Sequence, residues 1–220
     1  MKSSKSAVCS WAAIAVIAGA LTVTNPAAAQ DSFGPTPPDL PQPQASPDRF
    51  EPPAALEQPA APSGSNFDAL MQIEQQDYGV PPTAALHAGQ MHAPTPASIP
   101  GGQVITTKGL AELLGGRQVP VLLLDVLGGP EIIQGAQYAV PASQPGSFND
   151  RTQQEFGQFL AQATGGNKEH PVVLYCLSTQ CWLSYNAALR VINLGYTNVL
   201  WYRGGIEAWK QAGLPTQRVQ

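Results

Sequence analysis

Apolar and polar positions are distributed unevenly along the 220 residues. Val119–Val126 reads VPVLLLDV and Pro171–Tyr175 reads PVVLY. Apolar runs of this length without alternation predict strands covered on both faces, as in a parallel sheet between layers of helices. Asn198–Tyr202 predicts a third strand. Between these runs the period becomes helical. Asp150–Ala163 sets Phe156, Phe159 and Leu160 on one side and is followed by Gly165-Gly166. Trp182–Leu194 sets Leu183, Ala187, Val191 and Leu194 inward and is closed by Gly195, while Gly205–Ala212 ends at Gly213 and Pro215. A shorter amphipathic stretch, Gly109–Leu114, has Thr107 as its expected cap and Gly115-Gly116 as its stop. Strands alternating with helices predict an α/β fold, helices around a parallel sheet, and the chain from Gly101 onward suffices for one such core.

Upstream of Gly101 the pattern fades. Phe67, Leu70 and Met71, with Ile73 beside them, predict a short helix over Phe67–Asp77, capped by Asn66 and ended by Gly79 and Pro81-Pro82. Thr83–Pro100 reads as a loop carrying His87 and His92 toward solvent. Between Asp31 and Asn66 there are ten prolines, and the large apolar residues are only Phe33, Leu40, Phe50 and Leu56. So little apolar surface does not offset the entropy of ordering the segment, and the proline density predicts an extended spacer. At the start, Lys2 and Lys5 precede the uncharged run Trp11–Val23 and the small residues Ala27-Ala28-Ala29. That is the layout of a cleavable secretory signal, too short for a spanning helix. The expected organisation is therefore a signal peptide (1–29), a disordered Pro-rich spacer (30–66), a short helix and loop lead-in (67–100), and one α/β domain (101–220).

Composition sharpens this picture. Pro (22) and Gly (21) are in excess and charged residues make up only 12%, about half the usual share. The net charge of −4 excludes a basic footprint for nucleic acid. Removal of residues 1–29 takes two of eleven basic residues and no acidic one, leaving 9 − 15 = −6. It also removes Cys9, so the mature chain keeps Cys176 and Cys181 and no stable membrane anchor. The expected location is the periplasm or the exterior.

Ligands of open parallel sheets sit at the carboxyl ends of the strands. Cys176 falls there, directly after PVVLY, and the loop Leu177-Ser178-Thr179-Gln180-Cys181 leads into the helix beginning at Trp182. A loop so placed can turn backbone N–H groups toward the sulfur, and the helix N-terminus adds positive charge; both favour the thiolate. Asp125, near the end of the first buried strand, either orients N–H groups near the site or only satisfies the strand end. Arg203, following the third, either contacts an anion or is a surface cation before a Gly turn. Trp182 shields the sulfur, presents a face to a partner, or simply packs in the core. The Cys-x4-Cys spacing does not match a Cys-x2-Cys thioredoxin-type pair. Two cysteines with His170 fall short of a zinc site, and Trp182 stands where a Cys-x5-Arg phosphatase loop has Arg. No cofactor or metal motif stands out.

Two groups of residues resemble a known family. The first is LLLDV (Leu122–Val126) with Glu131, Gly135-Ala136 and Val140-Pro141. The second is VVLYC (Val172–Cys176), Ala187-Ala188, and GYTNVLWYRGGIEAWKQAGLP (Gly195–Pro215). Together they resemble a rhodanese-like domain. The resemblance implies an α/β sandwich in which Cys176 is the catalytic cysteine, taking a sulfane sulfur as a persulfide and passing it to a thiol acceptor. Where the family often has Arg, this sequence has Cys181, and Leu177 and Leu127 make the mouth more apolar; an anionic donor such as thiosulfate is expected to bind poorly. Cys181 followed by Trp182 is similar to a periplasmic subgroup named for a CxxCW motif and associated with PQQ-dependent catabolism. Three readings of the pair stand: Cys181 resolves a Cys176 persulfide, the pair is a labile exposed disulfide exchanging with a periplasmic protein partner, or it is a structural bridge.

Overall fold

The computed structural model describes residues 64–116 and 119–219. The signal-peptide expectation and most of the Pro-rich spacer lie outside these residues. The sequence expectation of an α/β fold with a parallel sheet holds. Helix α1 (Gly64–Glu74) is followed by strand β1 (Gln103–Ile105), helix α2 (Thr107–Gly116), and strands β2 (Leu122–Asp125), β3 (Glu131–Ile133) and β4 (Gln137–Tyr138). A 3-10 turn (Val140–Ser143), helix α3 (Arg151–Thr164), strand β5 (Val172–Tyr175) and helix α4 (Trp182–Asn193) come next. Strand β6 (Val199–Tyr202), helix α5 (Gly205–Gln211) and strand β7 (Thr216–Arg218) complete the order.

The main sheet has the order β1-β6-β5-β2-β4, with every pairing parallel, while β3 and β7 form a separate antiparallel pair. All four residues of β2 and of β5 are buried. Alternation splits them between two cores. Leu122, Leu124, Val172, Leu174, Val199 and Trp201 face α3 and α4, packing with Phe156, Leu160, Tyr185 and Leu189. Leu123, Val173, Tyr175 and Tyr202 face the other way, toward Leu110 of α2 and Ile206 and Trp209 of α5. Each fully buried Leu or Val contributes about 1.5–3 kcal/mol. The two-sided burial is why these strands lack a polar face in sequence.

Helix ends follow local chemistry. Asp150 caps α3 by accepting from Gln153 N at 2.7 Å, and Gly165 ends it in the left-handed region (φ 61°). Arg190 of α4 is buried and donates to both carboxylate oxygens of Asp150 at 2.9 Å, fixing α4 to the start of α3. That guanidinium holds the Asp150 carboxyl well below the usual carboxylate range.

Three expectations need correction. The first helix begins at Gly64, so Asn66 is inside it, and its amide instead donates to Gln211 O at 3.1 Å. The cap of α2 is Thr106, whose Oγ1 accepts from Gly109 N at 3.3 Å. Thr107 is the first residue of α2, its N–H and hydroxyl both bound by the buried Glu74 carboxylate. Gly115 and Gly116 lie within α2 rather than stopping it.

Residues 75–100 form no regular element, yet they are part of the same compact unit as the sheet. They run as a strap held by side chains of α4 and by Arg203, which follows β6. Tyr185 Oη accepts from Thr83 N (2.9 Å) and donates to Thr83 O (2.8 Å). The Asn186 amide makes the same reciprocal pair with His87 N (2.8 Å) and O (2.9 Å). Each arrangement satisfies both backbone groups of a strap residue as a strand partner would. Among the described residues no helix is long and apolar enough to cross a membrane.

Candidate active site

The loop 176–181 joins the carboxyl end of β5 to α4 and is held from both sides. On one side, α5 grips its carbonyls: Ile206 N donates to Cys176 O at 2.9 Å and Glu207 N to Leu177 O at 3.0 Å. The approach is so close that a Cβ on Gly205, itself at φ +66°, would lie 2.6 Å from Cys176 O. On the other side, Thr95 Oγ1 of the strap donates to Thr179 O at 2.6 Å, and Tyr78 Oη pairs with Thr179 Oγ1 at 2.9 Å.

Cys176 and Cys181 are joined as a disulfide, their Cα atoms 6.5 Å apart. The bridge is not exposed, contrary to expectation: the two residues are 1% and 0% accessible. Trp182, which follows Cys181, is buried in the same core cluster. Its backbone N–H donates to Met91 O at 2.8 Å and its indole N–H to Pro94 O at 3.1 Å. The ring is stacked on His87 (centroids 4.0 Å, 12° between planes) and meets the edge of Tyr185 at 5.0 Å. Trp182 is therefore packed between the strap and Tyr185 and has no free face for a partner. His87, expected to face solvent, belongs to this stack, while His92 is exposed.

In the disulfide, among the described residues, no backbone N–H makes a hydrogen bond to either sulfur, so the cradle expected around a Cys176 thiolate is not seen in this form. Cys176 Sγ instead lies 3.2 Å from Ser184 Oγ, in the first turn of α4, and 3.3 Å from Cys181 O. Trp201 Nε1 of β6 donates to the same Ser184 Oγ at 3.0 Å. Neither Ser184 nor Trp201 stood out in sequence as a site residue. The available signal was a hydroxyl two residues into the helix that follows the cysteine loop.

Arg203 does not reach the sulfurs. Its side chain is 1% exposed and donates only to neutral oxygens: Thr95 Oγ1 (3.1 Å), Thr95 O (2.9 Å), Glu74 O (2.6 Å) and Gln76 O (2.8 Å). It clamps the strap to the sheet, and burial pushes its pKa down. Asp125 Oδ1 accepts from Leu127 N (2.9 Å) and Gly128 N (2.8 Å), while Oδ2 has no hydrogen-bond partner among the described residues. Burial, and then the Asp125 charge, push the Tyr175 phenol well above its ordinary value.

Two cavities flank the loop. One, of about 420 Å³, is lined by Leu127, Pro130, Leu177 and Ile206, with Glu207 and the Glu131–Lys210 ion pair at its edge. The other, of about 200 Å³, is bounded by Ser178, Thr179, Gln180, Tyr78 and Glu74. The first brings together Leu127 and Leu177, the two residues expected to make the mouth apolar, but neither cysteine lines it. Its one lining cation, Lys210, is already paired, leaving no charge set for an anion. No group of three His, Cys, Asp or Glu among the described residues is placed to hold a metal ion.

Residues 106–212 match the rhodanese-like domain family. Among solved structures, the chain is similar to the rhodanese-like domain of an Anabaena protein (19% identity, TM-score 0.39), over 52% of this chain and 78% of that one. It is also similar to a Bacillus halodurans protein (20% identity, TM-score 0.40), over 53% and 77% of the two chains. Likeness to the thiosulfate sulfurtransferase of Pseudomonas aeruginosa (19% identity, TM-score 0.41) covers 54% of this chain and 21% of that one. No curated protein matches the sequence.

Proposed function

Starting from residues 106–212 as a rhodanese-like domain, we propose that this protein transfers sulfane sulfur through Cys176, with Cys181 as the resolving thiol. The observation carrying this reading is the bonded Cys176–Cys181 pair at the carboxyl end of β5. The Cys176 thiolate attacks the sulfane sulfur of a donor R–S–SH. The bond from that sulfur to the donor breaks, R–S⁻ leaves, and Cys176 carries –S–SH. The Cys181 thiolate then attacks the Cys176 sulfur, forming the Cys176–Cys181 disulfide and expelling HS⁻. In this second step the sulfane sulfur gains two electrons and the two cysteines lose them. An external dithiol restores the pair by exchange.

The apolar side chains of Leu127 and Leu177 beside the loop favour an organic persulfide over a dianion such as thiosulfate, since Arg203 and Lys210 are both committed elsewhere. In this reading the protein is exported and works in an oxidising compartment, where the pair rests as the disulfide. N-terminal sequencing of the exported protein is expected to begin at Gln30.

The second reading is a redox-sensitive docking module for a partner in a periplasmic dehydrogenase system, which needs no sulfur donor to reach the buried pair. Hydrosulfide release separates the two. Reduced wild-type protein given an organic persulfide is expected to release HS⁻ as its disulfide forms, and Cys181→Ser to release none. A wild-type protein that takes up no sulfur overturns the transfer reading.

A further inference from the structure

The sulfur of Cys176 has one hydrogen-bond donor among the described residues, and it is a side chain. Ser184 Oγ lies 3.2 Å from Cys176 Sγ and 3.0 Å from Trp201 Nε1. An indole N–H only donates, so it occupies a lone pair of Ser184 Oγ and leaves the hydroxyl hydrogen for another acceptor. Cys176 Sγ is the acceptor in reach. Ser184 is 1% exposed and Trp201 0%, so no water competes for either group. The Ser184 position is fixed by the first turn of α4, and the Trp201 ring is packed edge-on against Tyr185 at 5.0 Å, 88° between planes.

We propose that Ser184, oriented by the Trp201 indole, is the positioning residue that supplies the hydrogen bond to the Cys176 thiolate and persulfide. It does what a ring of loop amides would do. A disulfide sulfur accepts only weakly, whereas an anionic sulfur accepts a charge-assisted bond, so the contact favours the reduced, ionised form. The opposing group is the Cys181 carbonyl, 3.3 Å away, which accepts from a protonated Cys176 and so favours the thiol. The charged side chains on the neighbouring elements are engaged elsewhere. Asp125 accepts the amides of Leu127 and Gly128, Arg190 donates to Asp150, and Arg203 donates to the strap. Glu207 of α5 lines the outer cavities. With Ser184 absent, the ionised sulfur faces a carbonyl and no donor.

The inference rests on Cys176 being the reactive thiol, and the test keeps the two apart. Alkylation of the reduced full-length chain is followed against pH and mapped by peptide mass spectrometry, so that Cys176, Cys181 and Cys9 are read separately. Ser184→Ala is expected to raise the midpoint at Cys176 by about one pH unit, the size of one charge-assisted bond, and to leave Cys9 unmoved. Ser184→Thr restores most of the shift, because it keeps the hydroxyl. Trp201→Phe raises the midpoint by a smaller amount, because it frees the hydroxyl to rotate. An unchanged Cys176 midpoint in a folded Ser184→Ala protein overturns the proposal. If that variant fails to fold, an unchanged midpoint in Trp201→Phe overturns it equally. Sulfur uptake is measured on the wild type alone: uptake without a midpoint shift refutes the role of Ser184, and a shift without uptake refutes sulfur transfer.

Discussion

Replacing Arg203 with Met tests whether the strap controls access to the disulfide. Met fills much of the same space but donates nothing, so the carbonyls of Glu74, Gln76 and Thr95 lose their donor together. A hydrogen bond from a charged donor contributes about 1.5–3 kcal/mol, and the three are not additive. Relief of the desolvated guanidinium offsets part of the loss. Glu74, buried near Arg203, also loses a favourable charge. A net destabilisation of about 2–3 kcal/mol follows, carried mainly by the strap rather than by the sheet. If reduction of the disulfide proceeds through strap opening, that change raises the open population by about 30- to 150-fold at 1.4 kcal/mol per tenfold. The assay is the rate of reduction by a soluble dithiol, read beside limited proteolysis within residues 77–100. Arg203→Met is expected to speed both by at least about tenfold while retaining the far-ultraviolet dichroism of the α/β core. A variant that is less stable to urea yet is reduced and cleaved at wild-type rates refutes the reasoning, because the sulfurs would then be reached with the strap in place.

Two further perturbations address the surroundings of the loop. Gly205→Ala is expected to lower the melting temperature and loosen α5, since the new Cβ meets the Cys176 and Leu177 carbonyls at a positive φ; the left-handed conformation alone costs about 1–2 kcal/mol. A variant as stable as wild type would show that α5 does not grip the loop. Glu74 is held above its ordinary 4.5, first by burial, with the Thr107 hydrogen bonds and Arg203 opposing. A raised carboxyl contributes stability that is fully present below its unfolded value and is lost as pH rises through the folded one. Denaturation against pH should therefore find Glu74→Gln gaining on wild type as pH rises above 4.5, and a constant difference across that window would contradict it.

Sequence reasoning reached the parts of the molecule where one rule dominates. VVLY and LLLD are continuous apolar runs because helices cover both faces, and their strand nature is legible from that alone. Asp150 and Gly165 mark the ends of α3 through cap chemistry that depends only on neighbours. The position of Cys176 at a strand end followed from topology.

What was not legible depends on groups far apart in the chain. The strap has no period to read, and its order comes from side chains about a hundred residues away, such as Tyr185 on Thr83 and Asn186 on His87. Arg203 looks like a surface cation before a glycine turn until the carbonyls around it are known. Strands β1, β3, β4 and β7 are two or three residues long, too short for alternation to show. Ser184 is neutral by helix propensity, and its value lies in Trp201, seventeen residues on.

The central claim is that Cys176 carries sulfane sulfur. Its most direct test is mass spectrometry of reduced Cys181→Ser protein exposed to an organic persulfide, with Cys176→Ser as the control. The account predicts a gain of one sulfur atom on the Cys176 peptide, absent from the control. A protein that takes up no sulfur at Cys176, with the wild type changing only between dithiol and disulfide, would contradict it.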